Sequence, residues 1–299
     1  MSRAIQIAWM TIGVGVIVFA VKLVAWWVTG SVALYSDALE STVNVAAGVA
    51  ALIALSVSAR PADADHPYGH HKAEYFSAIL SGVLIIVAAL MILRAAILGL
   101  MDPQVPTSPL AGLSYSIVAT VLNGLWATYI WRYGRANRSP ALVAEAKHLF
   151  TDVVTSIGVI IGFALVAITG WLILDPLVAI AVALNILWTG WGLLHQSADG
   201  LMDRSVPEDE LARIGEVVTL SGEGAIEAHD LKTRHAGSAT FIEFHLVVPP
   251  TMTVEESHDI CDRIERAIKR EIEGARITIH VEPEAKTVAS PCIPIANAK

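Results

Sequence analysis

Residues 31–57 decide the fold: the stretch SVALYSDALESTVNVAAGVAALIALSV is apolar over a length that can cross a bilayer. Two carboxylates and an amide interrupt it, Asp37, Glu40 and Asn44, which stand at positions i, i+3 and i+7. This spacing places them in one stripe on one helix face. An ionisable side chain at bilayer depth costs at least ~2.5 kcal/mol, so the stripe indicates a functional site inside a membrane helix.

A second apolar stretch, residues 144–168 (AEAKHLFTDVVTSIGVIIGFALVAI), carries His148 and Asp152 four residues apart. They share a helix face as Glu40 and Asn44 do. Imidazole nitrogen and carboxylate oxygen are ligands that zinc and other first-row divalent metals accept, and two such pairs supply a four-coordinate site. The pattern indicates a membrane protein that moves metal ions. The alternative is that these side chains only form hydrogen bonds between helices.

Composition agrees with a membrane protein. The chain has 299 residues, of which 55% are hydrophobic and 16% are charged, against about 25% charged in an ordinary soluble domain. Residues 1–200 carry 9 Lys and Arg against 10 Asp and Glu, and residues 201–299 carry 11 against 18. The acidic excess therefore lies in the second part. It argues against a nucleic-acid partner, which favours a basic face, and suits a domain that handles cations.

The first 200 residues are predicted to form an all-α membrane domain of six helices in the lipid bilayer. Loop charge sets the orientation, because Lys and Arg collect on the cytoplasmic side. The first, third and fifth connections contain no Lys or Arg, so we expect both termini in the cytoplasm. Compact loops favour a bacterial inner membrane. The predicted spans are 6–28, 32–57, 74–100, 110–132, 142–169 and 172–198.

Residues 201–284 are predicted to form a small cytoplasmic α+β domain of order αββαβ, with helices over a three-stranded sheet. The long amphipathic helix of this domain begins after Thr253, a predicted N-cap with Glu256 three residues on. Residues 285–299 have the composition of a loop and are predicted to be a disordered tail.

Two further groups of residues are candidate metal ligands. The loop of residues 63–72 holds three histidines and two carboxylates, although a solvated polar loop is an alternative interpretation. The second part of the chain holds scattered histidines that the predicted strands and helix could bring together. Ordinary surface histidines are the alternative there. This second group consists of His229, His245, His258, His280 and Glu282.

The chain resembles the cation diffusion facilitators, a family of six-helix divalent metal efflux transporters. The resemblance covers roughly residues 5–284 and rests on motifs that are specific only in combination. They are Ser36-Asp37-Ala38-Leu39-Glu40, Pro61-Ala62-Asp63, the run from His66 to Glu74, His148-Leu149-Phe150-Thr151-Asp152, Leu201-Met202-Asp203-Arg204 and Ala228-His229-Asp230-Leu231.

The resemblance implies a homodimer that exchanges cytoplasmic metal for protons by alternating access. It implies a transport site at Glu40, Asn44, His148 and Asp152, to which Asp37 is an additional candidate. It implies a loop site at Asp63, His66 and His70. It further implies a binuclear site at the dimer interface of the cytoplasmic domains, formed by His229, His245, His258, His280 and Glu282. It also implies a salt bridge between Lys72 and Asp203.

Two positions depart from the family pattern. Asn44 stands where many zinc-transporting members have aspartate, so the site carries one negative charge fewer, and Glu282 replaces an expected aspartate. The metal hypothesis is therefore zinc first, followed by iron, cobalt, nickel, manganese and cadmium. A membrane-anchored metal sensor with weak or no transport is the alternative function. An intramembrane metallohydrolase is disfavoured, because the chain lacks a His-Glu-x-x-His motif.

Overall fold

The computed structural model describes residues 3–29, 32–101, 110–286 and 292–295. Within these ranges some side chains are left out of the description, namely those of residues 25–26, 28–29, 32–40, 43, 110–116, 159–160, 162–164, 166–167 and 175. The chain divides into two compact units, Met1–Ala198 and Asp199–Lys299.

Within the described residues, the first unit is built from six long helices. Three segments of the described residues, Arg3–Val24, Ala73–Met101 and Pro176–Leu201, are long and apolar enough to cross a membrane. Large apolar side chains such as Met91 and Trp188 remain exposed, as suits a surface that faces lipid. The helices are α1 (Arg3–Thr29), α2 (Val32–Ser58), α3 (Ala73–Met101), α4 (Leu110–Ala136), α5 (Pro140–Thr169) and α6 (Leu174–Leu201).

The helices pack so that α5 lies against α2, α3 and α4, and α1 lies against α2 and α4. Small side chains such as Ala47 and Ala51 on α2 and Ala144 and Ala146 on α5 are almost fully buried. Small residues let helix backbones approach closely in a membrane, where helix association depends on packing and interhelical hydrogen bonds. The close approach of α2 and α5 brings the two polar stripes of the sequence toward each other.

The second unit places two helices over a mixed sheet. The chain order is α7 (Glu208–Ser221), β1 (Glu227–Ala236), β2 (Ala239–Val248), α8 (Val254–Glu271), β3 (Ala275–Pro283), a short 3-10 turn (Glu284–Lys286) and β4 (Cys292–Pro294). The strand order is β3-β2-β1-β4, in which β2 and β3 are parallel and the other two pairs are antiparallel. The predicted class, a helical membrane domain followed by a small α+β domain, is confirmed.

The core of the second unit lies between the helices and one sheet face. It contains Ile214 of α7, Phe244 of β2 and Ile264 of α8, each at most 1% exposed. Alternation along the strands turns the other residues of the sheet, including His245, to the opposite face. Gly237 and Ser238 form the two-residue turn between β1 and β2. Gly237 has φ +55°, and type I′ and II′ hairpin turns require a positive φ at this first central position.

The sheet differs from the prediction by one strand. The sequence predicts a disordered tail at residues 285–299 beside a three-stranded sheet, yet Cys292–Pro294 pairs with β1 as β4. The reason is hydrophobic: Ile293 packs against the core and Ile295 is only 6% exposed. Loop-like composition around these two residues concealed them.

Candidate metal-binding sites

A buried hydrogen bond joins α2 and α5 in the first unit. Asn44 Nδ2 donates to Asp152 Oδ2, and both residues are buried, at 5% and 6% exposure. The two polar pairs predicted from the sequence thus contribute one member each to the same contact. The backbone of Asp37 and Glu40 belongs to α2, but their side chains lie outside the described residues, so their part in a site stays a prediction.

His148 lies one turn before Asp152 on α5 and is 4% exposed. Both of its ring nitrogens are buried without a hydrogen-bond partner in the described part of the chain, and the same holds for Asn44 Oδ1. Buried polar atoms in folded proteins nearly always have a partner. Nitrogen and oxygen atoms that lack a hydrogen-bond partner and lie beside a carboxylate are suitable ligands for a first-row divalent cation.

Glu145 is a buried carboxyl group that the sequence analysis did not single out. It is 1% exposed, and neither carboxyl oxygen has a hydrogen-bond partner among the described residues. Its neighbour on α2 is Gly48: a β-carbon placed on that glycine would lie 3.5 Å from Glu145 Oε1. The signal available in the sequence was the Glu-x-x-His spacing from Glu145 to His148, which puts both on one helix face.

Glu74 ties three helix ends together. Its carboxyl group accepts hydrogen bonds from Ser58 Oγ at 3.1 Å and from Ser139 Oγ, and Glu74 is 4% exposed. Ser58 ends α2, Glu74 lies in the first turn of α3, and Ser139 immediately precedes α5. This contact connects the end of α2, the first turn of α3 and the residue before α5.

The loop between α2 and α3 brings its three predicted ligands together. Asp63 lies 3.2 Å from His66 (Oδ1 to Nδ1) and 3.3 Å from His70 (Oδ2 to Nε2). Ligand atoms of all three lie within 4.8 Å of one another. The hydrogen bond from the backbone N–H of His66 lowers the pKa of the Asp63 carboxyl. The group is therefore ionised and available to a cation at neutral pH.

In the second unit, sheet register aligns three histidines across adjacent strands. His229 of β1 pairs with His245 of β2, which in turn pairs with His280 of β3. Glu282 lies one repeat further along β3: its Oε2 is 3.3 Å from His229 Nε2, and its Oε1 is 3.6 Å from His245 Nδ1 and from His280 Nε2. Ligand atoms of His229, His245 and Glu282 lie within 4.8 Å of one another.

His258 stands apart from this cluster. It lies on α8, is three-quarters exposed, and its Nε2 is 3.8 Å from Asp262 Oδ1. Within the described chain it does not join His229, His245 and Glu282, so the predicted convergence of all five residues does not occur in a single protomer. The reason is geometric, because α8 covers the core face of the sheet and the histidine row occupies the other face.

Two carboxylates beside the row were not predicted. Glu227 Oε1 lies 3.3 Å from His229 Nδ1. Asp230, in a β-bulge with φ +51°, has its Oδ2 3.8 Å from His245 Nε2 and accepts a hydrogen bond from Lys232 Nζ at 2.7 Å. That hydrogen bond lowers the pKa of the Asp230 carboxyl. The negative charges around the row favour a bound cation.

The predicted salt bridge between Lys72 and Asp203 joins residues of different units and stays a prediction. Within the second unit, Asp203 Oδ1 accepts a hydrogen bond from Arg234 Nη1 at 3.0 Å. Arg234 also lies over the ring of Phe241, with its guanidinium carbon 4.4 Å from the ring centroid. Asp203 is therefore already held by a cation of its own unit.

Comparison with known proteins identifies the family of the chain. Residues 8–202 match the family model of the cation efflux transmembrane domain, and residues 206–284 match that of the cytoplasmic domain of cation efflux proteins. The chain belongs to the cation efflux family, the cation diffusion facilitators. Its membership makes it an integral membrane protein and a metal efflux transporter, and the cytoplasmic domain is of a type that indicates homodimer-type assembly.

Individual relatives show the same similarity over most of their length. The uncharacterized transporter sll1263 of Synechocystis sp. is 46% identical over 274 residues, which is 92% of this chain and 88% of that protein. The cation-efflux pump FieF of Escherichia fergusonii is 32% identical over 263 residues, 88% of this chain and 87% of the pump. A solved structure of CzrB is 48% identical and covers 27% of this chain and 99% of its own, with a TM-score of 0.26.

Proposed function

We propose that the chain is a homodimeric antiporter that exports a divalent cation in exchange for protons by alternating access. Zinc is the first candidate substrate, ahead of iron(II), cobalt, nickel, manganese and cadmium. Residues 1–200 form the transport domain and residues 201–284 the regulatory and dimerisation domain. The protein lies in the inner membrane of a bacterial cell with both termini in the cytoplasm.

The contact between Asn44 and Asp152 carries this proposal. It joins two membrane helices at a point where the ring nitrogens of His148 are buried and lack a partner in the described residues. Burying polar atoms without a partner in a membrane interior is costly. A substrate cation that binds the ring nitrogens of His148 explains why they are present there, whereas a purely structural contact does not need an unpaired imidazole.

In the proposed cycle, a cytoplasmic cation binds Asp152 and His148, with Glu40 as a further ligand and Asn44 as ligand or orienting group. Metal ligands must be deprotonated, so cation binding and proton binding compete at the same atoms. Protons from the outside then neutralise the ligands and release the cation outward. The resulting coupling links export to the proton gradient without a separate proton path.

The row of His229, His245, His280 and Glu282 is proposed to regulate transport. A cation bound there would favour one arrangement of the dimer and so bias the transport domain, since a ligand shifts an equilibrium by its differential affinity for the two states. His258 would contribute from the second protomer. Asp63, His66 and His70 form a proposed third metal position in the loop.

The test is metal flux into proteoliposomes that hold the purified protein and a pH gradient, for each of the six metals. We expect proton-coupled flux of at least one of them, and loss of that flux in Asp152→Ala. Thr155→Val is the matched control, because Thr155 lies one turn beyond Thr151 on α5 and donates only to the Thr151 carbonyl. Undiminished flux in Asp152→Ala would overturn the assignment of the transport site.

A metal sensor is the rival function, favoured by the neutral side chain of Asn44. It predicts that the cytoplasmic unit binds metal while none of the six metals crosses the membrane. The same flux measurement, combined with metal binding by residues 199–299, separates the two functions.

A further inference from the structure

We propose that Glu145 and His148 form a second cation position in the membrane domain, on the side of the transport site toward the α2–α3 loop. The inference deepens the proposed transport function and rests on it. The site would take the same divalent cations one step before or after they reach Asp152. Its ligands are one carboxylate and one imidazole nitrogen.

The first argument is the state of the Glu145 side chain. The residue is 1% exposed, and neither carboxyl oxygen has a hydrogen-bond partner within the described ranges. Burying a carboxyl group without a partner is costly, so such groups are normally paired or coordinate metal. A structural role would have supplied donors, as the serines Ser58 and Ser139 do for the equally buried Glu74.

The second argument is spacing on α5. Glu145 precedes His148 by three residues and Asp152 by seven, and these steps keep all three side chains on one helix face. A Glu-x-x-His pair on a helix is an arrangement that holds metal ions inside helical bundles. His148 can therefore be shared, with Asp152 on one side and Glu145 about 4.5 Å along the axis on the other.

The third argument is the facing helix. Asn44 contacts Asp152, and one turn along α2 Gly48 lies opposite Glu145, where a β-carbon would be 3.5 Å from Oε1. The antiparallel helices thus present two levels in register. The level of Glu145 and Gly48 is nearer to the end of α2 and the beginning of α5. On the proposed orientation, this is the cytoplasmic end, from which the exported cation arrives.

The experiment uses the full-length protein in proteoliposomes, with zinc flux measured against zinc concentration under a pH gradient. Three variants are compared with the parent: Glu145→Gln, Glu145→Met and Glu145→Asp. We expect the first two to raise the half-saturating zinc concentration at least tenfold. Glu145→Asp, which keeps a carboxylate, should retain most of the parent's affinity for zinc. If zinc is not the substrate, the metal with the highest flux in the parent replaces it.

Thermal unfolding in detergent without metal distinguishes a metal ligand from a structural residue, because the two roles predict opposite changes in the Tm of Glu145→Met. An unpartnered carboxyl group destabilises the metal-free protein, so Glu145→Met should raise the Tm while it weakens transport. A lower Tm for Glu145→Met would show that Glu145 supports the fold, and that result would overturn the proposal. Unchanged half-saturation in Glu145→Gln and Glu145→Met would overturn it as well.

The design separates this inference from the proposed function. Flux in the parent that depends on Asp152 but not on Glu145 refutes the second position and leaves the antiporter intact. Absence of flux in the parent for every metal refutes the antiporter, and with it the basis of the second position.

Discussion

Asn44 Nδ2 donates a hydrogen bond to Asp152 Oδ2 across 108 residues of sequence. The amide therefore serves as a neutral partner for a buried carboxylate. Many zinc-transporting members of the family have aspartate at this position. When no cation is bound, the hydrogen bond from this neutral amide lowers the cost of burying the carboxylate. The amide also adds no charge of its own to attract a cation.

Asn44→Asp tests this balance. The substitution places a second carboxylate against Asp152, and like charges at short distance destabilise each other. We expect a lower Tm without metal and zinc binding tighter on the order of tenfold, because an added ligand charge raises cation affinity. Thermal unfolding with and without zinc measures both effects. An equal zinc-induced shift in Tm for parent and variant would show that residue 44 does not face the bound cation.

The serine contacts of Glu74 are expected to contribute to stability and not to metal binding. Ser139→Ala removes one donor from this buried carboxyl group, and leaving a buried polar group without its partner costs about 1–3 kcal/mol. We therefore expect a clear fall in Tm with an unchanged half-saturating metal concentration. Ser56→Ala is the matched control, since this exposed serine of α2 donates only to the Leu52 carbonyl. A shift in metal affinity in Ser139→Ala alone would assign Glu74 to the transport path.

The histidine row predicts a metal site within one cytoplasmic unit. His229→Ala should abolish tight zinc binding by residues 199–299, because His229 Nε2 and Glu282 Oε2 lie 3.3 Å apart at the centre of the cluster. His258→Ala should leave binding by the monomeric fragment unchanged and weaken it only in the dimer. Isothermal titration at protein concentrations above and below dimerisation distinguishes the cases. Equal loss in both variants of the monomer would place His258 in the same site.

Much of the membrane domain follows from sequence because its signals are local. The pairs Glu40–Asn44 and His148–Asp152 lie in apolar stretches, where an ionisable side chain is energetically costly and therefore indicates a function. Glu145 lies in the same stretch as His148 and carries the same kind of signal. A carboxylate near a helix start is also common on solvated surfaces, so the sequence alone does not separate a site residue from a surface residue here. The burial of Glu145 and its lack of a hydrogen-bond partner among the described residues make the distinction.

The cytoplasmic unit was less accessible to sequence reasoning because its site depends on register. His229, His245 and His280 come together through pairing of β1 with β2 and of β2 with β3. A shift of one residue in either pair would have turned a histidine into the core. His258 is on a helix that covers the opposite face. Its neighbour Asp262 follows from the i, i+4 spacing, but its separation from the histidine row depends on how α8 packs on the sheet.

The capping box of α8 was predicted from Thr253 and Glu256, and the structure confirms it. Glu256 N–H donates to Thr253 Oγ1, and Thr253 N–H donates to Glu256 Oε2 at 2.8 Å. The second bond lowers the pKa of the Glu256 carboxyl below its usual value of 4.5. We expect Thr253→Ala to lower the free energy of unfolding of the cytoplasmic unit by about 1 kcal/mol at pH 7.

The pH dependence follows from the sign of that shift. A carboxyl group whose pKa is lower in the folded state stabilises fully above its unfolded pKa, and the contribution disappears as the pH falls through the folded value. Unfolding by denaturant from pH 7 to pH 3 should therefore show a loss of stability below about pH 4.5 that is smaller in Glu256→Gln than in the parent, while the contribution of Asp230, whose pKa is also lowered, remains in both. Glu255→Gln, one residue earlier in the first turn of α8, is the control and should keep the loss. If Glu255→Gln removes it instead, the acid sensitivity belongs to the general charge of the first turn and not to the capping box.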